Sequence, residues 1–109
     1  MSGADATFTA IAESLLSEAG VSQGTGFGAN PGLRANGKIF AMLVRGELVV
    51  KLPAPRCADL VARGSARAFD RGQGRPLREW ICVGDDAQSG WIALAREALA
   101  FVAKEGLVP

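Results

Sequence analysis

Lys51, Asp70, Glu79 and Cys82 are the side chains of this chain whose types could do chemistry. A lysine at a strand end near a carboxylate becomes a base once burial shifts its pKa. A thiol becomes a nucleophile once it ionises. Lys51 follows an apolar run, where a lysine ordinarily lays its stem along its neighbours and keeps its charge in water. The chain has no histidine. This excludes His-based triads, the imidazole proton shuttle and most zinc sites. Cys57 and Cys82 lie too far apart in sequence for a metal spacing and read as buried thiols that behave as small hydrophobes. Cys57 also falls near a predicted helix start, a position that lowers a thiol pKa. The expectation is no catalytic residue, no metal and no cofactor, hence a non-enzymatic protein.

Gly24, Gly26 and Gly28 spell G-x-G-x-G. A phosphate-cradling loop of that kind needs a strand before it and a helix opening after it. Here a predicted helix precedes and a Pro-Gly turn follows, so the stretch reads as a bulged entry into a strand around 25–28.

Charge is the third candidate. The formal net charge is only +1, but residues 31–80 hold ten bases and four acids, between acidic ends. Lys38, Lys51, Arg71, Arg75 and Arg78 are the candidate anion-binding set, since Arg offers paired donors to phosphate. Phe69 and Trp80 are the aromatic side chains of that segment that could stack on a base. The simpler reading is a set of solvated loop arginines, with Arg78 or Glu79 in a structural ion pair. Near-neutral net charge and scattered bases argue against a dedicated DNA binder.

At 109 residues the chain is read as one domain, 1–109, with a single core. No apolar run approaches the ~20 residues of a membrane span. The first residues lack the basic start and apolar block of a secretory signal. The expected location is cytoplasmic.

The elements that would position these groups follow from periodicity. Phe8, Ile11, Ala12, Leu15, Leu16 and Ala19 recur at helical spacing over 5–19. Residues 38–52 alternate around a two-residue turn at Arg45-Gly46. That register faces Leu43 with Leu48, Ala41 with Val50, and Ile39 with Leu52, all apolar and all on the core side. The other side carries Phe40, Met42, Val44 and Val49 inside a rim of Lys38, Glu47 and Lys51. The upstream turn at Asn36-Gly37 would put Arg34 opposite Ile39 on the core side, a conflict that a bulge or longer loop resolves. Pro55 opens a short helix through Cys57, Leu60 and Val61 that Gly64 stops. Residues 65–76 read as a polar loop, Leu77–Val83 as a strand of undecided facing, and about 87–104 as a broadly apolar final helix capped by Asp85 or Asp86. The fold class is α+β in two layers, an antiparallel sheet with helices mainly on one face, ordered helix–strands–helix–strand(s)–helix.

In order along the chain, GTGFG (24–28), NGKIFAML (36–43), ELVVKLP (47–53), GRPLREW (74–80) and a Trp91-led helix resemble the TfoX N-terminal domain family, named after a bacterial competence regulator. The segments KLP and GR-x-x-REW are the most specific. Many members have methionine before the Phe-Gly of the first strand, where this chain has Gly26. The resemblance implies the same two-layer α+β fold. It also implies transcription-related regulation, although the competence regulators carry a second domain that this length leaves no room for. No catalytic residue is carried over.

Leaving Phe40, Met42, Val44 and Val49 in water forfeits about 1.5–3 kcal/mol for each of the larger side chains. The expected function is therefore an interaction or regulatory module that pairs through this patch, as a homodimer or with another regulatory protein. The alternative for the patch is a terminal helix wrapped across it. The alternative function is nucleic-acid or small-anion binding through the basic loop and sheet.

Overall fold

The computed structural model describes residues 3–25, 30–70 and 76–106. Helix α1 spans Gly3–Leu15 and is followed by strands β1 (Val21–Thr25), β2 (Pro31–Ala35), β3 (Lys38–Val44) and β4 (Glu47–Lys51). Helix α2 (Ala54–Ala62) leads to β5 (Arg67–Asp70) and β6 (Pro76–Val83). A 3-10 turn at Asp85–Gly90 runs into α3 (Trp91–Gly106). The strands form one antiparallel sheet in the order β1-β2-β3-β4-β6-β5, with the helices packed on one side, a two-layer α+β fold. Among the described residues no helix is long and apolar enough to cross a membrane.

The hairpin register is the one alternation demands: Ala41 faces Val50, Met42 faces Val49, Leu43 faces Leu48 and Val44 faces Glu47. Both tight turns place two residues in the left-handed region, Asn36 (φ 53°) with Gly37 (φ 85°) and Arg45 (φ 51°) with Gly46 (φ 78°). That is the signature of type I′ turns, whose twist matches paired strands.

One end of β3 departs from strict alternation. Leu33 faces Ala41 while Arg34 faces Ile39, so Phe40 is an extra residue on β3. A bulge of this kind resets the side-chain pattern by one. Phe40 consequently turns to the helices and joins the main core with Ala41 at 0% exposure, while Ile39 moves to the other face. The expected sorting is thus correct from Ala41 onward and reversed at Ile39 and Phe40. The reversal also takes Arg34 off the core side, which removes the conflict at the upstream turn.

The main core joins Phe8, Ile11 and Leu15 of α1, Leu33 of β2, Phe40 and Leu43 of β3, Leu48 and Val50 of β4, and Trp91, Ala95 and Val102 of α3. Cys57 and Leu60 of α2 pack against Leu52, Ile81 and Val83 in the same cluster. Trp91 is fully buried and its Nε1–H donates to the Gly84 carbonyl at 3.1 Å, so its polar tip is satisfied. Helix α2 has prolines flanking its start and ends at Gly64 (φ 76°). There Gly64 N–H donates to the Val61 carbonyl and Ser65 N–H to the Leu60 carbonyl. These are the two bonds of a Schellman stop, which favours glycine at this place.

Four features differ from the periodicity. α1 ends at Leu15 rather than at 19, and β1 begins at Val21 rather than Thr25. Residues 67–70 form an edge strand where a loop was expected. The segment ahead of α3 is a 3-10 turn, with α3 proper starting at Trp91. The short polar turns Asp85-Asp86 and Gln88-Ser89 cannot extend α3 backward, because Ala87 (φ −112°, ψ 26°) breaks helical geometry.

Candidate functional site

The four residues expected to form a contact patch are not left in water. Phe40 is in the main core, and Met42 and Val49 are both at 0% exposure, while Val44 is half-buried. Met42 and Val49 lie with Phe69 and Trp80 in a second, smaller cluster, edged by Ile39, Val44, Leu77 and Cys82. The described members of this cluster come from β3, β4, β5 and β6, and residues 67–70, expected as a loop, form a strand on β6 that brings Phe69 to this face. Neither terminal helix contributes to this cluster. The patch argument for a dimer therefore loses its basis, since the chain buries these side chains itself.

The basic set is partly brought together. Lys38 begins β3, Lys51 ends β4 and Arg78 lies near the start of β6, and antiparallel pairing puts all three at one end of the sheet. Arg71 and Arg75 lie outside the described residues. Lys51 Nζ stands 4.0 Å from Glu79 Oε1 in a partly exposed pair, an arrangement worth about 0–1 kcal/mol. Arg78 is exposed and has no ion-pair partner among the described residues.

Of the candidate catalytic groups, Lys51 and Glu79 pair, Cys82 lies apart from them, and the Asp70 side chain lies outside the described residues. Cys82 sits two residues from Trp80 on β6 and lines a polar cleft of about 410 Å³ with Glu47, Arg67 and Asp86, away from the Lys51–Glu79 pair. Glu47 is occupied there by an ion pair with Arg67. Burial, and then the charge of Glu47, push the Cys82 thiol pKa up, with Arg67 opposing. Burial raises the pKa of Cys57, whose Sγ–H donates a weak bond to the Leu52 carbonyl at 3.5 Å. The nearby helix start does not lower it, because desolvation outweighs the helix end. Both thiols stay protonated at neutral pH and are poor nucleophiles. Among the described residues no group of three His, Cys, Asp or Glu could hold a metal ion.

The glycine-rich stretch opens no helix. Gly24 belongs to β1 and faces Gly32 of β2. A Cβ on Gly24 would come within 2.7 Å of Arg34 Nε, and the same guanidinium donates to the Thr25 carbonyl at 2.8 Å and the Gly37 carbonyl at 3.2 Å. Glycine at position 24 makes room for an arginine that stitches the sheet edge. Gly26 and Gly28 lie outside the described residues.

The feature that residue types alone did not reveal is a groove of about 480 Å³ beside α2. One wall is α2, through Ala54, Cys57, Ala58, Val61 and Ala62. The other is the β5–β6 hairpin, through Ala68, Leu77, Arg78, Trp80 and Ile81. Among the described residues, every lining side chain except Arg78 is predominantly apolar. Val61, at 39% exposure, is one of two large apolar side chains that the described residues leave open to solvent. The groove exists because α2 presents small residues. Three alanines on its exposed flank leave space that larger side chains would fill, and the irregular pairing of β5 with β6, where Ala68 faces Ile81 but Phe69 faces Leu77, loosens the sheet edge beneath it. The clue in the sequence was the spacing Ala54, Ala58, Val61, Ala62, one face of a short helix too small to pack fully.

Arg56, on the same helix, is tied elsewhere: its Nε and one terminal nitrogen donate to the two Glu97 oxygens at 2.9 and 3.1 Å, fixing α2 to α3. The hydrogen bond and charge of Glu97 raise its pKa further.

No family model, curated protein or solved structure matches this chain, so the likeness to the TfoX N-terminal domain rests on its sequence segments alone.

Proposed function

We propose that the chain is a non-enzymatic binding module and that its ligand-accepting surface is the groove between α2 and β6. The observation that supports this is the groove's size and lining. Small-molecule sites are typically concave, ~300–1,000 Å³, mostly apolar and supplied with a few polar groups that orient the ligand. A groove of about 480 Å³ with apolar walls and one guanidinium meets each of these criteria. Raised thiol pKa values at Cys57 and Cys82 count against nucleophilic chemistry and leave binding as the better reading.

The test fills the groove. Ala58 is exposed on α2 and lines the groove, so Ala58→Trp adds bulk there without entering the main core. The neutral dye Nile red should brighten with the native chain and not with the variant, while circular dichroism stays the same. Equal brightening with both chains contradicts the reading.

A second reading, binding of an anionic group such as nucleic-acid phosphate, draws on Lys38, Lys51 and Arg78 sharing one end of the sheet. It requires retention of mixed DNA or RNA in a mobility-shift assay that weakens steeply with salt. Salt-independent migration removes it.

A further inference from the structure

We infer that the ligand of this groove is a small apolar carboxylate, a hydrocarbon chain ending in an acid, with Arg78 as its anchor. The inference rests on the groove being the binding surface. Three observations carry it. First, among the described residues Arg78 is the single charged side chain in the lining, and no acid pairs with it. The neighbouring described arginines are committed: Arg56 to Glu97 and Asp59, Arg63 to Asp59, Arg67 to Glu47. A guanidinium left over at an apolar groove is complementary to one negative charge, and its planar fork suits a carboxylate. Second, among the described residues the rest of the lining offers few polar side-chain groups, the Cys57 thiol and the Trp80 indole N–H. Cys57 Sγ–H is already turned to the Leu52 carbonyl. A ligand with several polar groups would leave them unpaired, at a cost. Third, among the described residues β5 offers the groove only Ala68. An extended peptide added to a sheet edge needs a run of backbone partners along it, so the walls suit a compact ligand better than a peptide strand.

The chemistry defines the roles. Arg78 would hold the carboxylate at the exposed mouth. Val61, Leu77 and Trp80 would cover the hydrocarbon, and the alanines of α2 set the width available to it. The step is binding alone; no bond is made or broken.

Octanoate and octanol share a hydrocarbon chain and differ in charge, and each is titrated separately into the isotope-labelled full chain while amide and Trp80 indole signals are followed. Octanoate is expected to bind roughly five- to tenfold more tightly than octanol. Lengthening the acid from butanoate should tighten binding about three- to fourfold per methylene until the groove is full. Arg78→Gln, at an exposed position, should reduce octanoate to the affinity of octanol and leave octanol unchanged. Equal binding of the two ligands by the native chain, or a preference for octanoate that survives in R78Q, overturns the carboxylate inference while the groove stands. If neither ligand moves the signals of α2 and β6, both the inference and the groove reading fail.

Discussion

Val61 of α2 and Trp80 of β6 line the same groove from opposite elements, and they differ sharply in exposure, 39% against 8%. Trp80 reaches the groove while belonging to the second cluster with Met42, Val49 and Phe69. One indole thus connects the sheet's outer face to the space beside α2. A ligand in the groove would be sensed by a side chain that also holds β5 and β6 together.

Phe40 and Ile39 provide a direct check of the bulge. Phe40 is fully buried among the helices, whereas Ile39 is half-buried at the margin of the second cluster. Phe40→Ala is expected to cost about 3–5 kcal/mol. Ile39→Ala should cost about half of that or less, because fewer of its atoms leave water. Denaturant unfolding of the two variants measures both. The reverse ranking would mean that strict alternation, with Ile39 inward, describes the strand better.

Arg45 sits at φ 51° in a turn where its neighbour Gly46 carries the second positive φ. A side chain with a Cβ pays for that conformation, and asparagine pays least among such residues. Arg45→Asn should stabilise the fold by about 1 kcal/mol and raise the melting temperature by several degrees. Calorimetry reads the shift. An unchanged or lowered melting temperature would show that Arg45 makes a compensating interaction in the native state.

The thiols set the alkaline limb of stability. Cys57 and Cys82 have pKa values raised in the folded state above the ordinary value of 9.0, in each case first by burial. The folded chain therefore holds these protons more tightly than the unfolded chain does. Their contribution to stability is intact below the unfolded thiol pKa. It is lost as pH rises through the folded values. Thermal melts across pH 8 to 11, about the range the unfolded thiol pKa brackets, should show a decline that Cys57→Ala and Cys82→Ala each reduce. A decline of the same steepness in the double variant would assign it to other groups.

What was legible in the sequence, and what was not, divides along physical lines. The β3–β4 register could be read because Arg45-Gly46 and the alternation from Ala41 to Val50 point to one answer. The stop at Gly64 and the main core helix led by Trp91 were equally plain. Phe40 was misplaced because a bulge is decided by which neighbour best fills the core, and period two carries no trace of that choice. Residues 67–70, Arg-Ala-Phe-Asp, alternate too briefly to be told from a loop, yet as a strand on β6 they bring Phe69 into the cluster of Met42 and Val49. The basic residues at one end of the sheet were found by type, and the sheet order explains why Lys38, Lys51 and Arg78 converge there. The groove was missed, because the run of small residues Ala54, Ala58 and Ala62 on α2 hints at unfilled space without showing what lies opposite it.

The most direct measurement of the binding account is a map of amide shifts in the full chain on adding octanol, a ligand without charge. The account predicts shifts concentrated at Cys57, Ala58, Val61, Ala68 and the Trp80 indole, and their disappearance in Ala58→Trp. Shifts centred instead on the cleft of Glu47, Arg67 and Cys82 would contradict it.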